Sequence, residues 1–377
     1  MKNKFKLISA AFAVGMAVTL AGCGGCSSCS SCNGNSASNT LTRSNWYTGT
    51  SYNGIQPSFI EGRDNFSPEI ITYNVTHSET AKNPNFSVEY EAGKFITEFY
   101  ATEYSWKQDG IPAGYANDQV DSEIVYVYKN TLDIRVKYKM KVGDKRESDW
   151  FDDHVETVSY FRAAGKNLQP VKSTQTIVSA SPANLQPKTL EDAYKEINVS
   201  YENFYDYSCT KVFCKTNDNG NKTEKEYGRL DKLSNALFDN SSLYIVARSF
   251  LKSSSSVSQS ICLFSAAAGG ADTYAVEGVD SGLTNTERDN YTEALAKQGL
   301  YNRSGDDDRV EATAVKVSYA GGNLQGTAQT IWYAAIPKNS GNNVSRATML
   351  KLSVELSFSL GTLNYSLEEV NSTLWNA

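Results

Sequence analysis

Leu350-Lys-Leu-Ser-Val-Glu-Leu-Ser-Phe-Ser-Leu360 alternates apolar and polar residues without a break. A period of two sets Leu350, Leu352, Val354, Leu356, Phe358 and Leu360 on one face of an extended chain, with Lys351, Ser353, Glu355, Ser357 and Ser359 on the other. One dry face and one wet face describe a strand covered on a single side. A run of about eleven residues exceeds the usual five or six, which suits a large, strongly curved sheet better than a compact sandwich. Gly361 follows, and Leu363, Tyr365 and Leu367 carry a second short alternation, so the glycine reads as a bend or bulge where a long strand curls.

The same period recurs upstream. Leu132, Ile134, Val136, Tyr138 and Met140 alternate with Asp133, Arg135, Lys137, Lys139 and Lys141, and the preceding Ile124–Tyr128 is expected to pair with them through a turn near Asn130. Further strands are expected over 70–76, 86–91, 95–104, 155–161, 174–179, 201–215, 311–319 and 327–336. Asn217-Asp-Asn-Gly-Asn-Lys222 is a hairpin turn, because Asn and Gly tolerate positive φ. Helix is scarce: Asn240 or Ser241 would cap one over 242–250, another covers 286–297, and Leu190–Glu196 adds a turn. The fold class is therefore mainly β, with long antiparallel strands in a curled sheet or open barrel and one or two short helices. The body, 44–377, reads as one large domain; a linker-like stretch around 180–188 either crosses the outside of that sheet or divides it in two.

Lys2, Lys4 and Lys6 precede an almost unbroken apolar run from Leu7 to Leu20, the pattern of an export signal. It is shorter than the roughly 20 residues of a membrane span. Leu20-Ala21-Gly22-Cys23 resembles a lipobox, the processing signal of bacterial lipoproteins. The resemblance implies a signal peptide over 1–22, cleavage before Cys23, and acyl chains such as palmitate on its thiol. It also implies a location outside the cytoplasm at the cell membrane. Several chains are needed for stable attachment, since one alone binds only marginally. The chain is acidic, with 36 Lys and Arg against 42 Asp and Glu, and losing the leader lysines makes it more so. Scattered cations on an acidic chain argue against nucleic acid as a partner.

Four of the seven cysteines fall in Cys23-Gly-Gly-Cys26-Ser-Ser-Cys29-Ser-Ser-Cys32. The spacing is that of a metal site. Lipidation of Cys23 would leave three free thiols among Gly, Ser and Asn, a composition that favours a tether over 23–43, so no metal is expected. Cys209 and Cys214 stand five apart; in one regular strand they point to opposite faces, and a disulfide between them requires a bend. Cys262, between Ile261 and Leu263, reads as a small buried hydrophobe.

Catalytic candidates are few. Of two histidines, His77 and His154, the second follows Asp152-Asp153 just before a strand, where solvated charge is ordinary. Asp306-Asp307-Asp308 lacks the ligand spacing of a calcium loop. Phosphate-loop, metalloprotease and serine-elbow motifs are absent from the sequence, so no catalytic residue and no cofactor are assigned. The row Arg135, Lys137, Lys139, Lys141 either faces an anionic ligand or is the wet side of its strand. The chain has 23 Tyr, 15 Phe and 5 Trp; Tyr201, Tyr205 and Tyr207 share one face of the expected strand, and Trp332 lies on another. Such rings suit sugars or acyl chains, and equally sheet packing.

Val155–Phe161 followed by Leu168-Gln169-Pro170, Phe238-Asp239 leading into Leu243-Tyr244 and Arg248, and Ile331-Trp332-Tyr333-Ala334 followed by Leu350–Val354 and Gly361-Thr362-Leu363 are together similar to the bacterial envelope family called domain of unknown function 3108. The resemblance covers about 124–367. It implies a long antiparallel sheet curled into an open barrel and brings no reaction with it; no Pro opens the final strand, and 266–308 departs from the pattern. The favoured function is an envelope lipoprotein without chemistry of its own. It would bind an apolar or amphipathic ligand, or contact an envelope component such as a lipid, a glycan or a protein. A carbohydrate-binding module, marked by a shallow line of exposed Tyr or Trp, and a polymer hydrolase with paired carboxylates across a cleft are the alternatives. Substituting Cys23→Ser is expected to stop lipid processing and move the protein from the membrane to the soluble fraction; unchanged processing and fractionation would sink the lipobox reading.

Overall fold

The computed structural model describes residues 69–79, 83–117, 120–143, 146–164, 167–184, 186–228, 230, 237–247, 259–319, 328–334, 348–356 and 360–372. The expected signal peptide, Cys23, Cys26, Cys29, Cys32 and the tether lie outside them, as do Arg248, Phe250 and the Gly321-Gly322 turn. Nine strands come first: β1 (Glu69–Ser78), β2 (Phe86–Tyr90), β3 (Gly93–Ser105), β4 (Ser122–Met140), β5 (Phe151–Ala164), β6 (Asn167–Pro182), β7 (Tyr194–Tyr205), β8 (Val212–Asp218) and β9 (Asn221–Tyr227). After β10 (Leu237–Asp239) come a 3₁₀ turn, Asn240–Ser242, and α1 (Leu243–Ala247). The chain continues through β11 (Gln259–Ser265), β12 (Gly270–Val279), α2 (Asn285–Lys297), β13 (Ala312–Tyr319), β14 (Gln329–Ala334), β15 (Met349–Glu355) and β16 (Thr362–Ser372).

All sixteen strands form one sheet, in the order β10-β11-β12-β13-β14-β15-β16-β1-β3-β4-β5-β6-β7-β8-β9, with β2 paired to β4. The pairs are antiparallel except β10 with β11. The mainly β, curled architecture expected from the alternation is what the chain adopts. β6 and β7 pair from Lys172↔Phe204 to Pro182↔Tyr194, so the linker-like stretch is partly strand and the sheet runs through it.

β4 corrects the expected hairpin. It is one strand of 19 residues, about 60 Å of extended chain, with β3 along its first part and β2 along its last. Asn130 sits inside it rather than at a turn. Its ladders continue on both sides, to Thr97 and to Thr157. Its buried amide donates to Thr157 Oγ1 and to Ser241 O, each at 3.2 Å. A side chain with inward partners has no need to fold back on its own backbone.

The long C-terminal strand is corrected in the opposite sense. β15 stops at Glu355 and β16 returns antiparallel beside it, Glu355↔Thr362 being the first pair. Gly361 has φ +100°, and a Cβ there would lie 2.3 Å from Ser78 O and 2.8 Å from His77 Nε2. His77 Nε2 donates to Leu360 O at 2.7 Å, so β1 crowds this corner and only glycine fits. The Asn219-Gly220 hairpin is found as expected, both residues having positive φ.

The inner face carries the core. Five α1 residues, Leu243, Tyr244, Ile245, Val246 and Ala247, are all buried, the signature of a helix surrounded on every side. They and the turn before them touch walls far apart in the sheet: Phe95 of β3 lies 6.1 Å edge-on from Tyr244, Tyr333 of β14 donates to Tyr244 O at 2.6 Å, and Asn130 of β4 reaches Ser241 O. The segment is thus a plug inside the curl. Among the described residues the sheet's two ends meet by side chains, not by backbone pairing: Tyr205, Val212, Leu230, Leu237, Cys262 and Phe264 form one apolar cluster, and Tyr227 packs edge-on against Phe264 at 5.1 Å. α2 begins with a full capping box between Thr284 and Glu287. Gly361→Ala is expected to lower stability by about 3 kcal/mol through positive φ plus the Ser78 clash, read as a reduced urea midpoint at unchanged m-value.

Candidate functional site

Of the three tyrosines expected on one face, Tyr201 and Tyr205 share the inward side of β7 and Tyr207 does not. β7 ends at Tyr205 because Asp206 closes a turn: its Oδ1 accepts from Thr210 N at 2.7 Å and Lys211 N at 2.6 Å, and its Oδ2 from Thr210 Oγ1 at 2.9 Å. Cys209 takes φ 53° within that turn. The expected single strand over 201–215 is therefore two strands with a turn between them. Tyr201 is half-buried against the main core and Tyr205 is fully inside. Tyr207, 39 % exposed, lies beyond the strand, its ring 3.4 Å beneath the buried Arg162 guanidinium. Arg162 also donates to Gln169 Oε1 and Tyr207 O, both at 2.7 Å.

Trp332 faces away from the interior, since its neighbours Ile331 and Tyr333 are the buried ones. Its indole N–H donates to Ser281 O, and Lys351 sits 5.1 Å over the ring while pairing with Glu287 of α2 at 2.7 Å. The ring holds the segment leading into the helix, and Lys351 the helix itself, to the outside of the sheet. The thiols Cys209 and Cys214 are free, not joined to one another. Cys209 Sγ lies 3.6 Å from Pro170 O and burial pushes its thiol up to about 12; Cys214 Sγ is 3.5 Å from Thr216 Oγ1 and burial raises it too.

The basic row is matched by carboxylates. Arg135 pairs with Glu91 at 3.0 Å and Asp152 at 3.1 Å, Lys137 and Lys139 both reach Glu147 at 2.5 Å, and Lys141 reaches Glu79 at 3.2 Å. Lys137 and then Lys139 hold the Glu147 carboxyl down at about 2. His154 Nδ1 is 2.7 Å from Asp133 Oδ1 on the same exposed face. Asp308 closes its own loop, accepting from Tyr301 OH at 2.6 Å and from Ser304 N and Oγ at 2.8 Å. Among the described residues no three His, Cys, Asp or Glu gather as metal ligands would, and no helix is long and apolar enough to cross a membrane.

The densest polar cluster was read in the sequence only as a helix start. β10 delivers Asp239 to the interior, 2 % exposed. Its Oδ1 accepts the Ser241 N–H at 2.8 Å, so Asp239, not Asn240 or Ser241, is the cap. Its Oδ2 accepts from Ser173 Oγ of β6 at 2.5 Å and from the Tyr205 hydroxyl of β7. Asn203 Nδ2 supports Ser173 Oγ at 2.9 Å. Three donors replace the water stripped from one buried carboxyl group. Burial first, then the neighbouring Asp239 carboxylate, holds the Tyr205 phenol well above its ordinary range. Beside it Phe161, Pro170, Phe238, Asp239, Ser242 and Val246 line a cavity of about 10 Å³, the space of one water. A serine bonded to a carboxylate with no imidazole is not an activated nucleophile, and a one-water space admits no substrate. The cluster is an anchor, fastening the plug to β6 and β7.

No protein-family model matches the chain, and no curated protein matches it. Among solved structures it is similar to the crystal structure of a β-barrel-like protein of domain of unknown function DUF1849 from Brucella abortus, at 9 % identity over 82 % of this chain and 99 % of that chain, with a TM-score of 0.46. A likeness of that size carries no inference about function. Asp239→Ala would strand the Tyr205 and Ser173 hydroxyls, and the expected loss is about 3 kcal/mol. Asp239→Asn, which keeps one acceptor, is expected to lose less. Equal midpoints for wild type and the alanine variant in chemical denaturation would remove the anchor role.

Proposed function

We propose that this chain is an exported, lipid-anchored protein of the bacterial cell envelope that works without chemistry of its own, as a scaffold meeting an envelope component on its outer surface. The observation that carries the reading is the plug: the Asn240–Ala247 segment fills the curl from within, and the cavity beside its anchor has the room of one water. A carrier that holds an acyl chain or similar ligand inside needs hundreds of Å³. In this reading the outside is the place of contact. The lipobox-like Leu20–Cys23 supports the membrane address.

A glycan platform has less support. Among the described residues Tyr207 is the one aromatic side chain in the exposed class, whereas polymer recognition wants a line of rings. The test is to purify the lipid-anchored protein in mild detergent, cleave the tether, and measure the released body by native mass spectrometry, alongside cross-linking in intact cells. The expected result is a body free of stoichiometric lipid and a reproducible cross-linked envelope partner. A body carrying one lipid per chain overturns the scaffold reading in favour of a carrier.

A further inference from the structure

A second carboxyl group lies inside the sheet with a different set of neighbours. Asp153 on β5 is 3 % exposed. Its Oδ1 accepts Ala180 N and its Oδ2 accepts Ser179 Oγ, both at 2.8 Å, near the end of β6. Ala180 O in turn accepts the Tyr138 hydroxyl of β4 at 2.7 Å. The Tyr138 ring stacks on Tyr194 of β7 at 4.9 Å and on Phe86 of β2 at 6.3 Å. One carboxyl group therefore sits at the head of a chain of contacts running through β6, β4, β7 and β2.

The groups facing it are phenols and hydroxyls. Tyr90 comes from β2, Tyr138 from β4, and Ser179 from β6 with Ser181 Oγ 3.3 Å behind it. Its chain neighbours are paired elsewhere, Asp152 with Arg135 and His154 with Asp133. His77, the other histidine, packs on Tyr90 at 4.9 Å and is turned to Leu360 O. No Lys, Arg or His contacts Asp153 among the described residues. An ion here is buried without a counter-ion among the described residues, whereas a neutral acid fits: Ser179 Oγ reverses from donor to acceptor and the backbone bond from Ala180 is retained.

We propose that Asp153 is a pH-responsive latch, closed as the neutral acid and loosened on ionisation, which frees the Ser179–Pro182 end of β6 and the β2 strand resting on Tyr138. Burial is the main cause that raises this carboxyl from 3.8 to about 7, outweighing the Ala180 and Ser179 bonds that lower it. The folded state holds its proton more tightly than the unfolded chain does. The stabilisation is therefore complete below pH 3.8 and is lost as pH rises through about 7. Across that window the folding equilibrium contributed by this group falls by up to about a thousand-fold. The latch is independent of the scaffold reading.

The test uses the intact folded body between pH 5 and 8.5. Carbon-detected NMR follows the Asp153 carboxyl, and hydrogen exchange, corrected for intrinsic rate, follows the Ala180 amide. The expected result is a carboxyl midpoint near 7 and Ala180 protection falling at least tenfold across it. Asp153→Asn should flatten that fall. A carboxyl midpoint below 5, or Ala180 protection independent of pH in the wild type, overturns the latch. The wild-type titration decides the matter even where the asparagine variant does not fold.

Discussion

The docking of a short buried segment inside the sheet is the constraint on which the rest depends. A five-residue helix has no stability of its own, and nearly all its backbone groups lack intrahelical partners. Here the wall supplies some of them: Tyr333 donates to Tyr244 O in the helix, and Asn130 donates to Ser241 O in the turn before it, whose Ser241 N–H is taken by the segment's own cap, Asp239. The sheet needs the helix equally. Its strands curl without backbone closure, and the inward residues of β3, β4, β14 and β16 must cover an apolar object to be dry. Polar meets polar at Asp239–Ser242, and apolar meets aromatic from Leu243 onward, so the plug is seated in one register and not another.

Charge is handled differently on the two sides of the sheet. Outside, the lysines and arginine along β4 are matched by Glu79 just past β1, Glu91 just past β2, Asp152 of β5 and Glu147. Such pairs contribute little individually to stability, but they leave no uncompensated basic stripe to attract phosphate. Inside, Asp239 and Asp153 meet hydroxyl and amide groups rather than cations among the described residues. Buried groups satisfied by dipoles fix geometry at the cost of tolerance: each fits one arrangement of its donors, and a shifted strand leaves it stranded.

The sheet was legible in the sequence because alternation is a local signal, and β4, β15 and β16 state it residue by residue. What failed was punctuation. Asn130 looks like a turn former until its inward partners are known, and those partners are 27 and 111 positions away. Gly361 was visible as an interruption, but whether a glycine bends a strand or reverses it depends on Ser78 and His77, from the far end of the chain. Asp206 was the missed turn signal; its carboxylate accepts from residues four and five ahead. That spacing is readable in principle, yet the β-forming Thr-Lys-Val-Phe run that follows the Cys209 corner masked it. The loss of Tyr207 from the face that Tyr201 and Tyr205 share follows directly from that one misplaced turn.

The plug's position along the chain explains why one segment can matter so widely. β3 to β9 form one continuous meander and β11 to β16 another, each built mostly from neighbours in sequence. β1 joins them, pairing Glu69 with both Phe99 and Ser372, and such distant pairing carries a loop-closure cost before it returns any contact. β10 and α1 lie between the two meanders in the chain and touch both in space, β4 and β6 on one side, β11 and β14 on the other. Each meander alone would expose the half of its inner face that the plug covers. Joining through β1 and filling by α1 are therefore coupled, and the molecule presents a finished outer surface only when both are complete.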